Sequence, residues 1–214
     1  MGFTWIAALA LVAAAPPPAA PAPRTDYLVA RVASPAVVVR ARPGGAALRQ
    51  LGRRTEFGSP QTFTVVRKRG RWLGVVTSTV ANGRIGWVRR SGLHYRHVSI
   101  KLEADLSRRT LTAKRGDAVL RRIRIDIGAA GSSTPVGRYA VTDKLPGSRF
   151  SPVYGCCILA LSGHQGSRRL AIHGTPSGTV PGHANSEGCL HAKTSDLRYL
   201  MRVTPLGTPV FVHP

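Results

Sequence analysis

Carboxylates are scarce in this chain of 214 residues: nine Asp and Glu stand against 31 Lys and Arg, a formal net charge of +22. Such a surface repels basic partners and attracts polyanions. Aromatic residues make up only 6%, and they are not interleaved with arginines as base-stacking surfaces are, which argues against nucleic acid. No apolar run approaches the roughly 20 residues of a membrane-spanning helix. The longest, Phe3 to Ala15, has the length and small residues of a secretory h-region, with Ala13-Ala14-Ala15 near a cleavage position. An uncleaved anchor is the alternative. Cysteine is also rare. Three cannot close into pairs, and two of them, Cys156 and Cys157, are sequence neighbours. Adjacent Cα atoms lie about 3.8 Å apart across a trans peptide, closer than the roughly 4.4–6.8 Å of ordinary disulfides, so both are expected as packed thiols. Cys189 is left as the odd thiol.

Pro16 to Pro23 is a Pro/Ala tether, so residues 1–24 stand outside the folded part. From 25 to 96, short β-prone runs recur at Tyr27–Val32, Ala36–Arg40, Gln61–Arg67, Trp72–Thr77 and Arg84–Val88. Gly- and Pro-bearing turns separate them, the spacing of a small β-barrel. Trp72 and Trp87 are expected in its core. Residues 97–214 form a second β-rich unit. It opens on a three-stranded meander (Ser99–Asp105, Thr110–Lys114, Val119–Ile127), with Arg121, Arg122 and Arg124 on a solvated face. Strands follow at Gly137–Thr142 and Cys156–Leu161, joined by a long loop from Lys144 to Tyr154. His164 falls in a polar turn. One short helix begins near Thr194, capped by Thr194 or Ser195, with Asp196 in its first turn and Pro205 beyond its end.

The chemistry concentrates in Ile172 to His191, I-H-G-T-P-S-G-T-V-P-G-H-A-N-S-E-G-C-L-H. His173 ends an apolar strand, and Gly174 permits a sharp turn after it. A loop rich in Gly, Pro and Ser then leads back to Cys189. A thiol becomes a good nucleophile only as thiolate, so a base held near it is what this pattern supplies. Gly188 lets a carbonyl approach the main chain, and the amides of Gly188 and Cys189 are placed to meet an oxyanion.

The segments I-H-G-T and S-x-G-C-L, with T-P-V-G-R-Y at Thr134–Tyr139 and the closing L-G-T-P-V, resemble the L,D-transpeptidase (YkuD-type) catalytic domain over roughly Val98 to Pro214. The runs V-V-V-R-A-R-P-G-G, G-R-W-L-G-V and G-R-I-G-W-V resemble bacterial SH3-like domains. The resemblance implies a mostly β architecture: a small SH3-like barrel (25–96), then a β-rich catalytic domain (97–214) with one short helix. It implies a peptidoglycan-cross-linking enzyme outside the cytoplasm, in which Cys189 attacks a donor tetrapeptide stem. His173 would be the base and the Gly174 carbonyl its orienting partner. The thioester would pass to an acceptor amine to give a 3→3 cross-link. Ser186 and Gly188 would belong to the oxyanion turn, and Tyr139 and Tyr154 would border the substrate channel. No metal or organic cofactor is implied. The partners are stem peptides and anionic wall polymers, with no nucleic acid and no membrane contact beyond the N-terminal segment.

Two positions depart from the family pattern. Glu187 stands where His, Arg or Asn is usual and is expected to point outward, since a carboxylate facing the thiol would raise its pKa. His191 replaces Arg or Asn and is read as a hydrogen-bond donor to substrate. Three other readings compete. Zinc would use His173, His183, Cys189 and His191, but H-x9-H-x5-C-x-H matches no common zinc spacing. An NlpC/P60-type peptidase would place its cysteine before its histidine, the reverse of the order here. A basic wall-binding protein with a decayed site is the non-enzymatic reading.

Overall fold

The computed structural model describes Met1, residues 26–175 and residues 179–214. The h-region and the Pro/Ala tether lie outside the described residues. The described part is mostly β, with two main sheets and one α-helix.

The first sheet holds β1 (Tyr27–Val32), β2 (Ala36–Arg40), β3 (Ala47–Gly52), β4 (Thr62–Arg69), β5 (Trp72–Val76), β6 (Gly86–Arg89) and β7 (Leu93–Val98), in the order β3-β2-β6-β5-β4-β1-β7. β1 and β2 send Ala30, Val32, Val37 and Val39 into a core with Phe63, Leu73, Val75 and Val88. That alternation is the period-2 signal of a half-buried strand. Two strands carry no such signal. β3 (ALRQLG) is almost wholly exposed and forms by pairing with β2. β7 (LHYRHV) is buried only at its ends and is held along its length by β1. Trp87 is buried, but Trp72 is only half-buried. The Arg40 and Arg89 guanidinium groups lie 6.0 and 5.2 Å from its ring, so a charged surface site takes Trp72 out of the expected core.

The second sheet comprises β8 (Ile100–Asp105), β9 (Thr110–Arg115), β10 (Ala118–Arg124), β12 (Gly137–Pro146), β13 (Cys157–Gln165), β14 (Arg168–Gly174), β16 (Leu190–Ala192) and β17 (Pro209–His213), in the order β10-β9-β8-β17-β12-β13-β14-β16. A two-residue strand, β11 (Ile127–Gly128), pairs with β15 (Ala184–Ser186). Helix α1 (Thr194–Val203) packs Leu197 and Leu200 into the core beneath the sheet. Lys193 occupies its N-cap, so neither Thr194 nor Ser195 caps it, while Asp196 does sit in the first turn. Arg121 is not merely solvated. It pairs with Asp196 at 2.7 Å and lies 4.9 Å from the Tyr199 ring, tying β10 to the helix.

The long loop is shorter than its sequence suggests. β12 continues to Pro146, and two 3-10 turns, Gly147–Arg149 and Pro152–Tyr154, bring the chain to Cys157. Cys156 and Cys157 are bonded to each other rather than packed as separate thiols. Gly155 has φ +62°, so the pair straddles a bend into β13 rather than lying in extended backbone, where successive side chains face apart. His164 lies in β13, half-buried, and its main chain is gripped by Asn82 from the turn between β5 and β6, N–H to Oδ1 at 3.0 Å and Nδ2–H to O at 2.6 Å.

Candidate active site

The two faces of β14 and β16 have different tasks. Ile172 and Leu190 are register partners and point into the main core. The neighbouring register pair, His173 and His191, therefore shares the opposite face, and strand alternation puts Ala171 and Cys189 there as well. Cys189 packs on that face against the cluster of Leu145, Ile158 and Ala171, on which Tyr154 and Phe57 also pack. The strand pairing thus brings the two ends of the 173–189 segment to one surface.

His173 is buried, and its Nδ1–H donates to the Gly174 carbonyl at 2.8 Å. A carbonyl only accepts, so this bond places the proton on Nδ1 and leaves the lone pair on Nε2. Burial lowers the His173 pKa to about 4; the neighbouring His191 adds to the shift and the Gly174 bond opposes it. The imidazole is therefore neutral at neutral pH, with its Nε2 lone pair free to accept a proton. Tyr154 meets its ring edge-on at 4.9 Å between centroids, and the His191 ring lies at 4.3 Å.

Gly174 has a different task from the expected turn. It remains in β14, and a Cβ there would come within 2.7 Å of the Tyr154 carbonyl and 2.8 Å of the Gly155 Cα. The missing side chain lets the 3-10 segment close over His173.

The Cys189 thiol is half-buried and donates to the Arg169 carbonyl at 3.9 Å. Burial pushes its pKa up, against the pull of the Ala171 backbone bond and the Arg168 charge. The resting pair is thus thiol and neutral imidazole. Ser186 braces the turn before Cys189: its Oγ–H donates to the Cys189 carbonyl at 2.6 Å and its Oγ accepts the Gly188 N–H at 3.1 Å. The Gly188 amide is accordingly engaged, contrary to the expectation that it is free for an oxyanion. Gly188 has φ +111°, and a Cβ would strike Gln165 at 2.7 Å, so only glycine fits.

Glu187 is exposed and pairs with Arg168. It thereby offsets the one nearby cation that favours the thiolate. Exchanging Glu187 for Gln is expected to lower the pH midpoint of Cys189 alkylation by less than about half a unit, because both partners are solvent-screened. A shift above one unit in a pH series with iodoacetamide would show Glu187 acting on the thiol directly.

Tyr139 does not border a channel. It is 1% exposed, and its hydroxyl donates to the Pro135 and Val136 carbonyls at 2.9 and 3.2 Å. Asp126 is the residue sequence reasoning missed. It is buried, and its Oδ1 accepts the Gly182 and His183 N–H groups, each at 2.8 Å. Its Oδ2 lies 3.6 Å from His191 Nδ1. Burial lowers the His191 pKa and Asp126 opposes that shift. His183 is exposed, with its Nδ1 3.6 Å from Asp126 Oδ1. Among the described residues, no group of three or more His, Cys, Asp or Glu is arranged to hold a metal ion.

Comparison with known proteins matches the model of the L,D-transpeptidase catalytic domain to residues 99–212. A YkuD protein of Bacillus licheniformis is 26% identical over 117 residues, spanning 55% of this chain and 67% of its own length. That of Bacillus subtilis is 28% identical over 119 residues, 55% of this chain and 65% of its own. Among solved structures, an L,D-transpeptidase from Mycobacterium smegmatis is similar at 18% identity and TM-score 0.45, over 61% of this chain and 73% of that one.

Proposed function

The chain belongs to the L,D-transpeptidase (YkuD) catalytic-domain family, and from that premise we propose that it is an extracytoplasmic peptidoglycan transpeptidase with Cys189 as nucleophile and His173 as base. The observation that carries this reading is the shared sheet face of Cys189 and His173, with the His173 tautomer set by Gly174.

The neutral imidazole takes the thiol proton as Sγ attacks the carbonyl of the third, diamino, residue of a donor tetrapeptide stem. His173, now protonated, gives that proton to the departing D-Ala amine, and a thioester remains. The amine of an acceptor stem attacks the thioester and restores the thiol, leaving a 3→3 cross-link. Burial favours the uncharged pair, so proton transfer accompanies attack rather than preceding it. Ser186 and Gly188 hold the turn that presents Cys189. Tyr154 shields His173, and His191, backed by Asp126, lies beside it as a donor to substrate. The chemistry needs no metal or organic cofactor.

The basic first sheet has a part in this reading. Between Tyr27 and Val98 the only acidic side chain is Glu56. An open cavity of about 510 Å³ is lined by Gly70, Arg71, Arg89, Arg90 and Ser91. This surface suits anionic wall polymers. We assign the first unit to an SH3-like class on its sequence motifs.

The test is intact-mass spectrometry after incubation with a carbapenem, whose β-lactam C–N bond opens as the Sγ–carbonyl bond forms. A single adduct, mapped to the peptide containing Cys189, is the expected result. No adduct, together with a thiol inert to iodoacetamide, would overturn the reading in favour of a decayed site.

A further inference from the structure

The face that carries Cys189 is completed from the other unit. The loop 53–60 between β3 and β4 reaches across to it. Internal bonds stiffen the loop: Thr55 N–H to Ser59 O at 2.9 Å, Gly58 N–H to Thr55 O at 3.0 Å and Gln61 N–H to Arg53 O at 2.8 Å. Three consecutive residues then engage the second sheet. The Thr55 hydroxyl bonds to the buried carboxylate of Asp143 in β12. Glu56 pairs with Arg169 of β14. Phe57 packs on the cluster of Leu145, Ile158 and Ala171 that also receives Tyr154 and Cys189.

Arg169 links this loop to the thiol. Its Nε–H and Nη2–H donate to the Leu161 carbonyl at 3.1 and 2.7 Å, and Nη2–H also reaches Thr142 Oγ1 at 2.9 Å. Its guanidinium lies 5.9 Å from the Phe57 ring, while its carbonyl accepts from Cys189 Sγ at 3.9 Å. Phe57 also meets Phe150 edge-on at 5.9 Å. Phe150 remains 44% exposed, so the apolar surface that continues from Phe57 is open to a ligand.

We propose that Phe57, delivered by the first unit, is a specificity-determining residue of this site, its ring forming the wall on which the methylene chain of the acyl donor's diamino residue packs. The proposal rests on the transpeptidase reading. A carbonyl bonded to Cys189 Sγ lays its flanking groups on the surface around Cys189, where Phe57 and Tyr154 pack on the same Leu145, Ile158 and Ala171 cluster as the thiol. Tyr154 already covers His173, which leaves Phe57 for the donor side chain. Methylenes are recognised by contact with apolar surface rather than by hydrogen bonds. The first unit thereby takes a direct part in choosing the donor.

The test compares the full chain with Phe57→Ala and Phe57→Leu, using a synthetic tetrapeptide donor stem, with iodoacetamide and a carbapenem as thiol probes. Phe57→Ala is expected to raise KM for the donor about tenfold, the scale of losing a hydrophobic pocket contact, with kcat changed less than about threefold. Its iodoacetamide rate should stay within about twofold of the parent, and Phe57→Leu should recover most of the loss. An unchanged KM in Phe57→Ala overturns the proposal. An equal fall in iodoacetamide rate also overturns it, since the loop would then be supporting the thiol rather than touching substrate. If the parent forms no carbapenem adduct, the transpeptidase reading itself fails and the wall falls with it.

Discussion

Cys189→Ala is expected to abolish both peptide transfer and the carbapenem adduct, and His173→Ala to slow adduct formation by about 10²–10⁴-fold, the usual contribution of a positioned acid–base group. The two losses have different causes. Removing the sulfur removes the atom that bonds to the carbonyl. Removing the imidazole leaves a thiol whose pKa burial has raised and whose proton rests on the Arg169 carbonyl. The His173→Ala rate should therefore climb steeply as pH rises through the thiol's own range, with activity partly recovered at alkaline pH. In the parent, protonation of His173 near pH 4 should set the acid limit of the rate. Stopped-flow acylation between about pH 4 and 10 reads both. A His173→Ala profile parallel to the parent's would show that the base lies elsewhere.

Asp126→Ala should produce the largest loss of stability among substitutions at the site's border. Its carboxylate accepts two backbone amides while buried at 3% exposure. Leaving buried donors unpaired costs about 1–3 kcal/mol each, so a total of about 2–6 kcal/mol is expected, or a melting temperature lower by roughly 4–24 °C for a chain of this size. Asp126→Asn retains an acceptor oxygen and should lose less than half as much. The same exchange removes the charge opposing the desolvation of His191, so the His191 titration, followed by imidazole NMR signals, should move further down in Asp126→Asn. Equal melting temperatures for Asp126→Ala and the parent would show that the amides find other partners.

The difference between what the sequence displays and what it hides follows from these contacts. The outward Glu187 followed from the cost of a carboxylate beside a thiol, and the strand over Leu170–Ile172 and the helix at Thr194 were readable because each rests on local pattern, an apolar run and an amphipathic period. Asp126 was not. By alternation it belongs with Arg122 and Arg124 on a face that reads as solvated, but β10 ends at Arg124 and the chain leaves the sheet there. The residues that bury Asp126, Gly182 and His183, come from 56 and 57 positions away. Tyr139 failed in the opposite sense. A strand-end tyrosine invites a channel reading, yet the turn at Pro135–Val136 offers its hydroxyl two carbonyls within the core. Phe57 shows no periodic signal, since its importance comes from a loop crossing between units. The bonded Cys156–Cys157 pair sits at the turn into β13, a local geometry that sequence spacing alone does not reveal.

The bonds that clasp the two units have a temporal side. Thr55 to Asp143 spans 88 positions, Arg96 to the Leu206 carbonyl 110, and Thr64 to the Gly207 carbonyl 143. Contacts this distant close large loops before they return any stabilisation, which slows folding relative to chains dominated by local contacts. During synthesis, the first sheet emerges long before Leu206 and Gly207 exist to receive it. The contacts of Phe57 and Thr55 can form only once β12 to β14 are made. A chain interrupted before Leu206 would carry a first sheet whose Thr64 and Arg96 still lack the carbonyls that receive them.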